Sequence, residues 1–361
     1  MDHRSSAIII TFKDRLYIEE AKSLALSAGY FPSRVLPVKR LHVGRYAVGE
    51  GRARIIKEYC DKDNIQLIII DDKINVRELY ELSKYCKRMV IDREKLILEI
   101  FARRAQTQEA RLQVKLAELS YELPRVKEYV KLQKIGEQPG FFGYGAYETE
   151  KYYRSIKFRM HNIQEKIKRI RMRRELYRLH RKKLGLPVAL LVGYTSAGKT
   201  TLFNKLTGAE LPISSHLFTT LTTTTRRITI NSKNLLITDT VGFISRLPHY
   251  MIEAFKSTLE EISFADLVLL ILDVSDPTLN FKRKFYTCKE TLTELGVPDQ
   301  KIVAVMNKID LVSNDELEEK KRLIKNDIND IFFISASKGT GLTQLKIFIE
   351  NVVGKAESIV A

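Results

Sequence analysis

Apolar positions in the first 92 residues fall into short runs separated by amphipathic stretches. The runs Ala7 to Thr11, Gln66 to Ile70 and Met89 to Ile91 predict strands, while Ile18 to Ala28, Arg52 to Lys62 and Val76 to Cys86 carry a helical period. That alternation predicts a small α/β domain over residues 1–92. Beyond it the pattern changes. Leu112, Leu116, Leu119, Leu123 and Val126 recur every three or four residues, and so do Ile156, Met160, Ile163, Ile167, Ile170 and Tyr177, with Arg174 interrupting. Each set makes one apolar seam on a long helix. The first helix is expected to start near Arg93 and to be disturbed at Pro124. Two such seams pack most simply against each other, which predicts an antiparallel helical hairpin over 93–184. Between them, Gly136 to Tyr147 holds four glycines, a proline and four aromatics, so this stretch is expected near the hairpin tip.

Residues 185–361 again alternate apolar runs with amphipathic segments, and here polar motifs follow the runs. Val188 to Val192 precedes Gly193, Tyr194, Thr195, Ser196, Ala197, Gly198, Lys199 and Thr200, and Thr201 opens an amphipathic stretch. Strand, glycine loop and helix in that order form a phosphate cradle. The glycines let backbone amides converge on a β-phosphate at a helix N-terminus, Lys199 adds a point charge, and the Thr200 hydroxyl can ligate magnesium. The run from Leu235 ends in Asp239, Thr240, Val241 and Gly242, which puts a carboxylate beside the metal, acting through water, and the Gly242 amide at a γ-phosphate. Lys301 to Met306 delivers Asn307, Lys308 and Asp310. The Asp310 carboxylate suits the two N–H donors that guanine has and adenine lacks. Ile331 to Ile334 leads into Ser335, Ala336, Ser337 and Lys338, whose backbone amides suit the guanine O6, with the stems of Lys308 and Lys338 flanking the ring.

Asp239 to Gly242 alone is as compatible with an ordinary turn and Asn307 to Asp310 alone with a helix start, while the glycine loop alone is not decisive. Their order, each at the C-terminal end of a predicted strand where open α/β sheets bind ligands, predicts a GTP- and GDP-binding domain that uses Mg2+. Lys199 and Gly242 are the expected catalytic groups from these motifs. The residue after Gly242 is Phe243, which cannot orient an attacking water by a hydrogen bond, so slow intrinsic hydrolysis is expected.

Charge adds a second theme. The 361 residues carry a formal net charge of +17, and Lys151 to Lys183 holds fourteen Lys/Arg against Glu165 and Glu175. A basic helix beside glycine-spaced aromatics suits RNA, the helix following phosphates and the rings stacking on unpaired bases. A solvated charged helix with locally packed aromatics fits the same residues. Cys60, Cys86 and Cys288 lie far apart without disulfide or metal-ligand spacing. No leader-like N-terminus or spanning apolar run is present, so a cytoplasmic protein without stable membrane association is expected, with a monomer favoured. Gly44, Gly49 and Gly51 are read as turn glycines, since no Gly-Lys-Thr follows them.

Several landmarks together resemble the HflX family of translational GTPases over nearly the whole length. They are Gly49-Glu-Gly51 before a helix, Ile68 to Asp72, Val90 to Arg93, Ile97 to Ala105 and Gln113 to Pro124. In the last segment they are the glycine loop, Phe218-Thr219-Thr220-Leu221 with Thr224-Thr-Arg226, and Asp239 to Phe243. The resemblance implies an α/β protein with a C-terminal P-loop GTPase domain at 185–361, an N-terminal α/β domain at 1–92 and a connecting antiparallel helical hairpin. It also implies nucleotide-dependent binding to the ribosome, chiefly the large subunit and its RNA, and a role in ribosome splitting, rescue or stress-linked translation control. Phe218 and Thr219 then join the nucleotide contacts. Thr220 is the switch-one residue expected to ligate magnesium and read the γ-phosphate. Ser196 stands where the family usually carries Asn, which leaves potassium activation open, and Arg226, Arg227 and Arg246 are equivalent candidates for an arginine in cis. The other reading is a nucleotide-regulated RNA-binding or ribosome-assembly protein whose turnover is incidental.

Overall fold

A computed structural model of the chain describes all residues except 1–4, 135–145, 214–216, 219–222, 232, 256–260 and 358–361. Two compact units emerge, Met1–Ile167 and Lys168–Ala361.

The first unit begins with β1 (Ser6–Phe12), α1 (Arg15–Ser27), β2 (Phe31–Val38), α2 (Glu50–Lys62), β3 (Leu67–Ile70), α3 (Val76–Cys86) and β4 (Met89–Asp92). Its strands form a parallel sheet in the order β2-β1-β3-β4. The central strands carry the apolar runs Ala7 to Ile10 and Leu67 to Ile70, which are buried on both faces. β2 is the strand the pattern does not predict. It carries Pro32 and Pro37, and it tolerates them because it lies at the sheet's edge, where a missing N–H breaks no interior ladder. Gly49, at φ +79, caps the N-terminal end of α2, so the glycines there serve a turn.

The helix expected from Arg93 is two helices, α4 (Arg93–Arg104) and α5 (Gln108–Lys134). The break follows Ala105, whose backbone is extended, and the Thr107 hydroxyl accepts from the Ala110 amide at 3.2 Å to start the second helix. Pro124 lies inside α5 instead of disturbing it. Leu119 and Val126 are buried on either side of the proline, and that packing outweighs its missing hydrogen bond. α6 (Ala146–Lys183) supplies the other seam: Ile156 is buried with Leu119 and Val126, and Leu123, Tyr153, Met160 and Ile163 pack around them. The expected glycine-rich tip lies outside the described residues up to 145, after which α6 starts.

Arg93 anchors this unit. Its buried guanidinium donates to Asp71 at 2.6 Å and to Glu20, and the Thr11 hydroxyl donates to the same Asp71 at 2.7 Å. Burial alone would lower the guanidinium's pKa, but the two carboxylates hold it above its ordinary value.

In the second unit, the end of α6 departs from the expected seam. Tyr177 is 70% exposed, and the inward positions after Ile170 are taken by Arg174, 3.9 Å from Glu261, and by Arg178, whose guanidinium lies 3.9 Å from the Phe264 ring centre. Counting by threes and fours from Ile163 leads to both arginines, and their long apolar stems suit such a half-buried stripe.

The remaining elements are β5 (Val188–Gly193), α7 (Lys199–Thr207), β6 (Thr224–Ile230), β7 (Lys233–Asp239), α8 (His249–Ala254), β8 (Leu267–Asp273), α9 (Thr278–Glu294), β9 (Ile302–Asn307), α10 (Asn314–Ile324), β10 (Ile331–Ile334) and α11 (Leu342–Glu357). They form a six-stranded sheet in the order β10-β9-β8-β5-β7-β6, parallel except for β6. Leu191, Leu202, Phe203, Ile237, Leu269, Val305 and Leu345 share its core. Because β5, β7, β9 and β10 run parallel, the segments that follow them gather along one edge of the sheet.

Candidate functional site

The glycine loop is shaped by steric necessity. A side chain at Gly193, φ +148, would lie 2.3 Å from the Ile271 carbonyl oxygen of β8, and one at Gly198, φ +96, would lie 2.2 Å from Asn307 Nδ2. Ser196 between them also adopts a left-handed backbone, φ +63. Gly198 precedes α7 without a capping side chain, so the first amides of that helix face the loop as an anion cradle.

Lys199 opens α7 and is buried. Its Nζ donates to the carbonyls of Gly193 at 3.1 Å and Tyr194 at 2.9 Å. Burial lowers its pKa and the nearby Asp239 opposes that shift. Thr200 follows, and its Oγ1 donates to Asp239 Oδ2 at 2.9 Å, while Thr201 continues the first turn of α7. Two hard oxygen donors therefore sit side by side at the cradle's mouth, a donor set suited to Mg2+, which commonly takes one or two protein oxygens and completes its shell with phosphate and water. Among the described residues no cluster of three or more His, Cys, Asp or Glu is arranged to hold a metal.

Asp239 ends β7, and the chain then turns back over the loop. Thr240 Oγ1 donates to the Leu191 carbonyl at 2.7 Å, Val241 is buried, and a side chain at Gly242 would lie 2.9 Å from Lys199 Nζ. Phe243 is also buried. Of the switch-one residues, Phe218 is buried with φ +57, whereas Thr219 and Thr220 lie outside the described residues.

Asn307, the last residue of β9, connects this cradle to the base side. Its Nδ2 donates to the Ala197 carbonyl at 2.9 Å and its Oδ1 accepts from the Ala336 amide at 2.9 Å. The Ala336 amide is thus already engaged by Asn307. The Ser335 hydroxyl accepts from the Lys338 amide at 3.2 Å and lies 3.1 Å from the Ser337 hydroxyl. Lys308, in a left-handed backbone, gives its amine to Asp273 at the end of β8. Asp310 completes the edge. Its Oδ2 lies 3.7 Å from Lys338 Nζ, and its Oδ1 is buried without a hydrogen-bond partner. The carboxyl titrates below its ordinary range, chiefly because Ser335 hydrogen-bonds it, so it is ionised at neutral pH.

The structure thus brings together the described members of all four motifs. It also adds two residues the sequence reading does not name: Asp273, which holds Lys308, and Ser245, whose amide donates to the Tyr194 hydroxyl at 2.7 Å. The apolar run Leu267 to Leu272 signals a buried strand and could have pointed to Asp273, but no motif marks Ser245.

Three protein families match in succession along the chain: "GTP-binding GTPase N-terminal" at residues 15–102, "GTP-binding GTPase Middle Region" at 104–181 and "50S ribosome-binding GTPase" at 188–308. GTPase HflX of Methanocaldococcus jannaschii is 42% identical over 340 residues, covering 93% of this chain and 83% of that protein. GTPase HflX of Thermococcus kodakarensis is 39% identical over 350 residues, covering 95% and 79%. Among solved structures, SsGBP in complex with GDP superposes with a TM-score of 0.59 at 28% identity, covering 98% of this chain and 99% of that one. A GTP-binding protein of Sulfolobus solfataricus in complex with GDP gives 0.54 at 26% identity, covering 97% and 99%.

Proposed function

This chain belongs to the HflX family of GTPases, and from that premise we propose that its GTP-bound form docks on the large ribosomal subunit and that hydrolysis to GDP and phosphate releases it. The observation that carries the nucleotide half of this reading is the Asp310 carboxylate, held ionised beside Ser335 and Lys338, whose Oδ1 is buried and makes no hydrogen bond within the protein. Guanine presents two adjacent N–H donors to such a carboxylate, whereas adenine presents an acceptor at N1. Asp310 therefore favours guanine by a hydrogen bond that adenine cannot make at N1.

At the phosphate end, Lys199 and the first amides of α7 hold the β- and γ-phosphates, with Tyr194, Thr195, Ser196 and Ala197 forming the wall of the cradle. Thr200 and Asp239, with Thr220 from switch one, would hold Mg2+, which would supply neutralisation of phosphate charge. The Gly242 amide reads the γ-phosphate, and Thr240 and Val241 place it. On the base side, Lys308 lies along the ring and the Ser337 amide takes the guanine O6, while Asn307 keeps the two halves of the pocket in register. Phe243 offers no hydrogen bond to an attacking water, so the basal rate is slow and a bound partner has to complete the alignment.

The ribosomal half rests on chemistry of another kind. The last of the matching families is described as ribosome-binding, and α6 presents exposed cations along much of its length. Residues 1–92 and 93–184 serve this reading as the docking domain and arm of a GTPase domain at 185–361. Splitting of subunits or rescue of stalled ribosomes is the proposed outcome. The buried Phe243 also favours a second reading, in which bound GTP governs RNA binding or ribosome assembly and turnover is incidental.

Cosedimentation with intact ribosomes and with separated subunits tests both. Pelleting with the large subunit is expected in a GTP analogue and not in GDP, weakening steeply as salt rises. Equal pelleting in every nucleotide state would contradict the proposal, and hydrolysis unchanged by ribosomes would favour the assembly reading.

A further inference from the structure

Lys308 and Asp310 leave the same turn toward opposite sides. Asp310 is engaged by Ser335 and lies 3.7 Å from Lys338 Nζ, both in the loop after β10. Lys308 goes the other way and gives its amine to Asp273, the last residue of β8. In the sheet β9 lies between β10 and β8, and Asp273 stands in register with Asn307, one residue before the lysine. The methylene stem therefore runs along the sheet edge from the Asp310 side toward β8, across the floor of the proposed guanine site.

The carboxylate that receives the amine is itself fixed. Asp273 Oδ1 accepts from the Ser275 amide at 2.9 Å and from the Ser275 hydroxyl at 2.6 Å, while Oδ2 takes the lysine. The turn that carries it is held from three further sides. The Val274 amide donates to the Asn307 carbonyl at 3.0 Å, the buried Lys320 donates from α10 to the Val274 carbonyl at 2.6 Å, and Lys284 donates from α9 to Asp276 at 2.7 Å. Both oxygens of Asp273 are engaged within the protein, so its influence on a bound nucleotide runs through the lysine.

We propose that Asp273 is a positioning residue: it anchors the Lys308 amine so that the stem lies ready beneath the guanine ring, and so sets the affinity for the base. The inference rests on the GTPase reading and deepens it. A lysine without an anchor has four rotatable bonds and a strongly hydrated head, and ordering it when the base arrives costs affinity. The ion pair imposes that order beforehand and leaves an apolar stretch of methylenes for the ring to cover.

The test is a double-mutant cycle in the full-length protein, read by calorimetric titration with GDP and with a nonhydrolysable GTP analogue in magnesium. Asp273→Ala is expected to weaken both nucleotides by the same factor, about fivefold to tenfold, because both carry the same base. In steady-state hydrolysis the KM for GTP should rise by that factor while kcat stays within about twofold. Once Lys308 is changed to Met, which keeps the stem and removes the ammonium, the same Asp273 substitution should cost less than about twofold. Asp273→Asn, equal in size, guards against a folding defect and should show the same pattern. A loss that persists undiminished in the Lys308→Met background, a fall in kcat matching the rise in KM, or unchanged affinity in both Asp273 variants overturns the proposal. Wild-type protein that binds neither nucleotide overturns the underlying GTPase reading, an outcome distinct from wild-type binding with additive losses in the cycle.

Discussion

Asn307 donates its side-chain amide to the Ala197 carbonyl at 2.9 Å while the same side chain accepts from the Ala336 amide, so one residue at the end of β9 ties the phosphate loop to the loop after β10. Both residues are buried, and each loses its hydrogen bond to Asn307 when that side chain is removed. Asn307→Ala therefore strands a carbonyl and an N–H together. We expect a loss of about 3 kcal/mol in chemical unfolding of the nucleotide-free protein, with guanine nucleotide binding weakened in parallel. A loss below about 0.5 kcal/mol would show that the staple is dispensable.

The Thr200–Asp239 contact makes a different prediction. At 2.9 Å the Thr200 hydroxyl donates to the buried Asp239 carboxylate without metal, so Thr200→Ala should lose some stability but still fold and bind GDP in chelator. What it should lose is the gain that magnesium brings to triphosphate binding, by roughly tenfold or more. Titrations with and without magnesium check this, and an undiminished magnesium effect would remove Thr200 from the metal site.

In the first unit, Arg93 neutralises two buried carboxylates, Asp71 and Glu20. Arg93→Ala takes the guanidinium away from both buried carboxylates, a change that typically costs about 3–5 kcal/mol. The Tm of the variant should fall accordingly. A variant as stable as wild type would mean that water reaches these groups in solution.

The thiols predict a reactivity. Burial pushes Cys60 up to about 11 and both Cys86 and Cys288 up to about 12. At pH 8 all three stay in the protonated, unreactive form, and only above pH 10 would thiolate accumulate in the folded protein. A disulfide reagent should titrate almost no thiol in native protein at pH 8 and three in denaturant. Fast native-state reaction of any one would contradict its burial.

How far the chain can be read without coordinates depends on the kind of signal. The four nucleotide motifs were legible because each needs particular residue types at fixed spacing, and the structure brings their described members to one sheet edge. Buried strands such as β3 were legible as unbroken apolar runs. β2 was not, because Pro32 and Pro37 read as breakers unless its edge position is known. The α4–α5 break was hidden because Ala105 and Thr107 suit a helix interior almost as well as a boundary, and Pro124 signalled a disturbance that the packing of Leu119 and Val126 overrides. On α6 the exposed Tyr177 looked like the seam residue and Arg178 like surface charge. An arginine whose guanidinium lies over the Phe264 ring carries no mark of burial in sequence. The Tyr194–Ser245 bond was unreadable for a plainer reason: it joins a side chain to a backbone amide fifty-one residues away, and backbone amides are the same at every position.

The central claim, that this edge of the sheet binds guanine nucleotides through Asp310, is tested most directly by calorimetry on nucleotide-stripped protein with GTP and XTP in magnesium. Wild-type protein should bind GTP and discriminate against XTP, while Asp310→Asn should reverse that order, because an amide can donate to the xanthine oxygen where the carboxylate repels it. The same preference for GTP in both proteins would contradict the account.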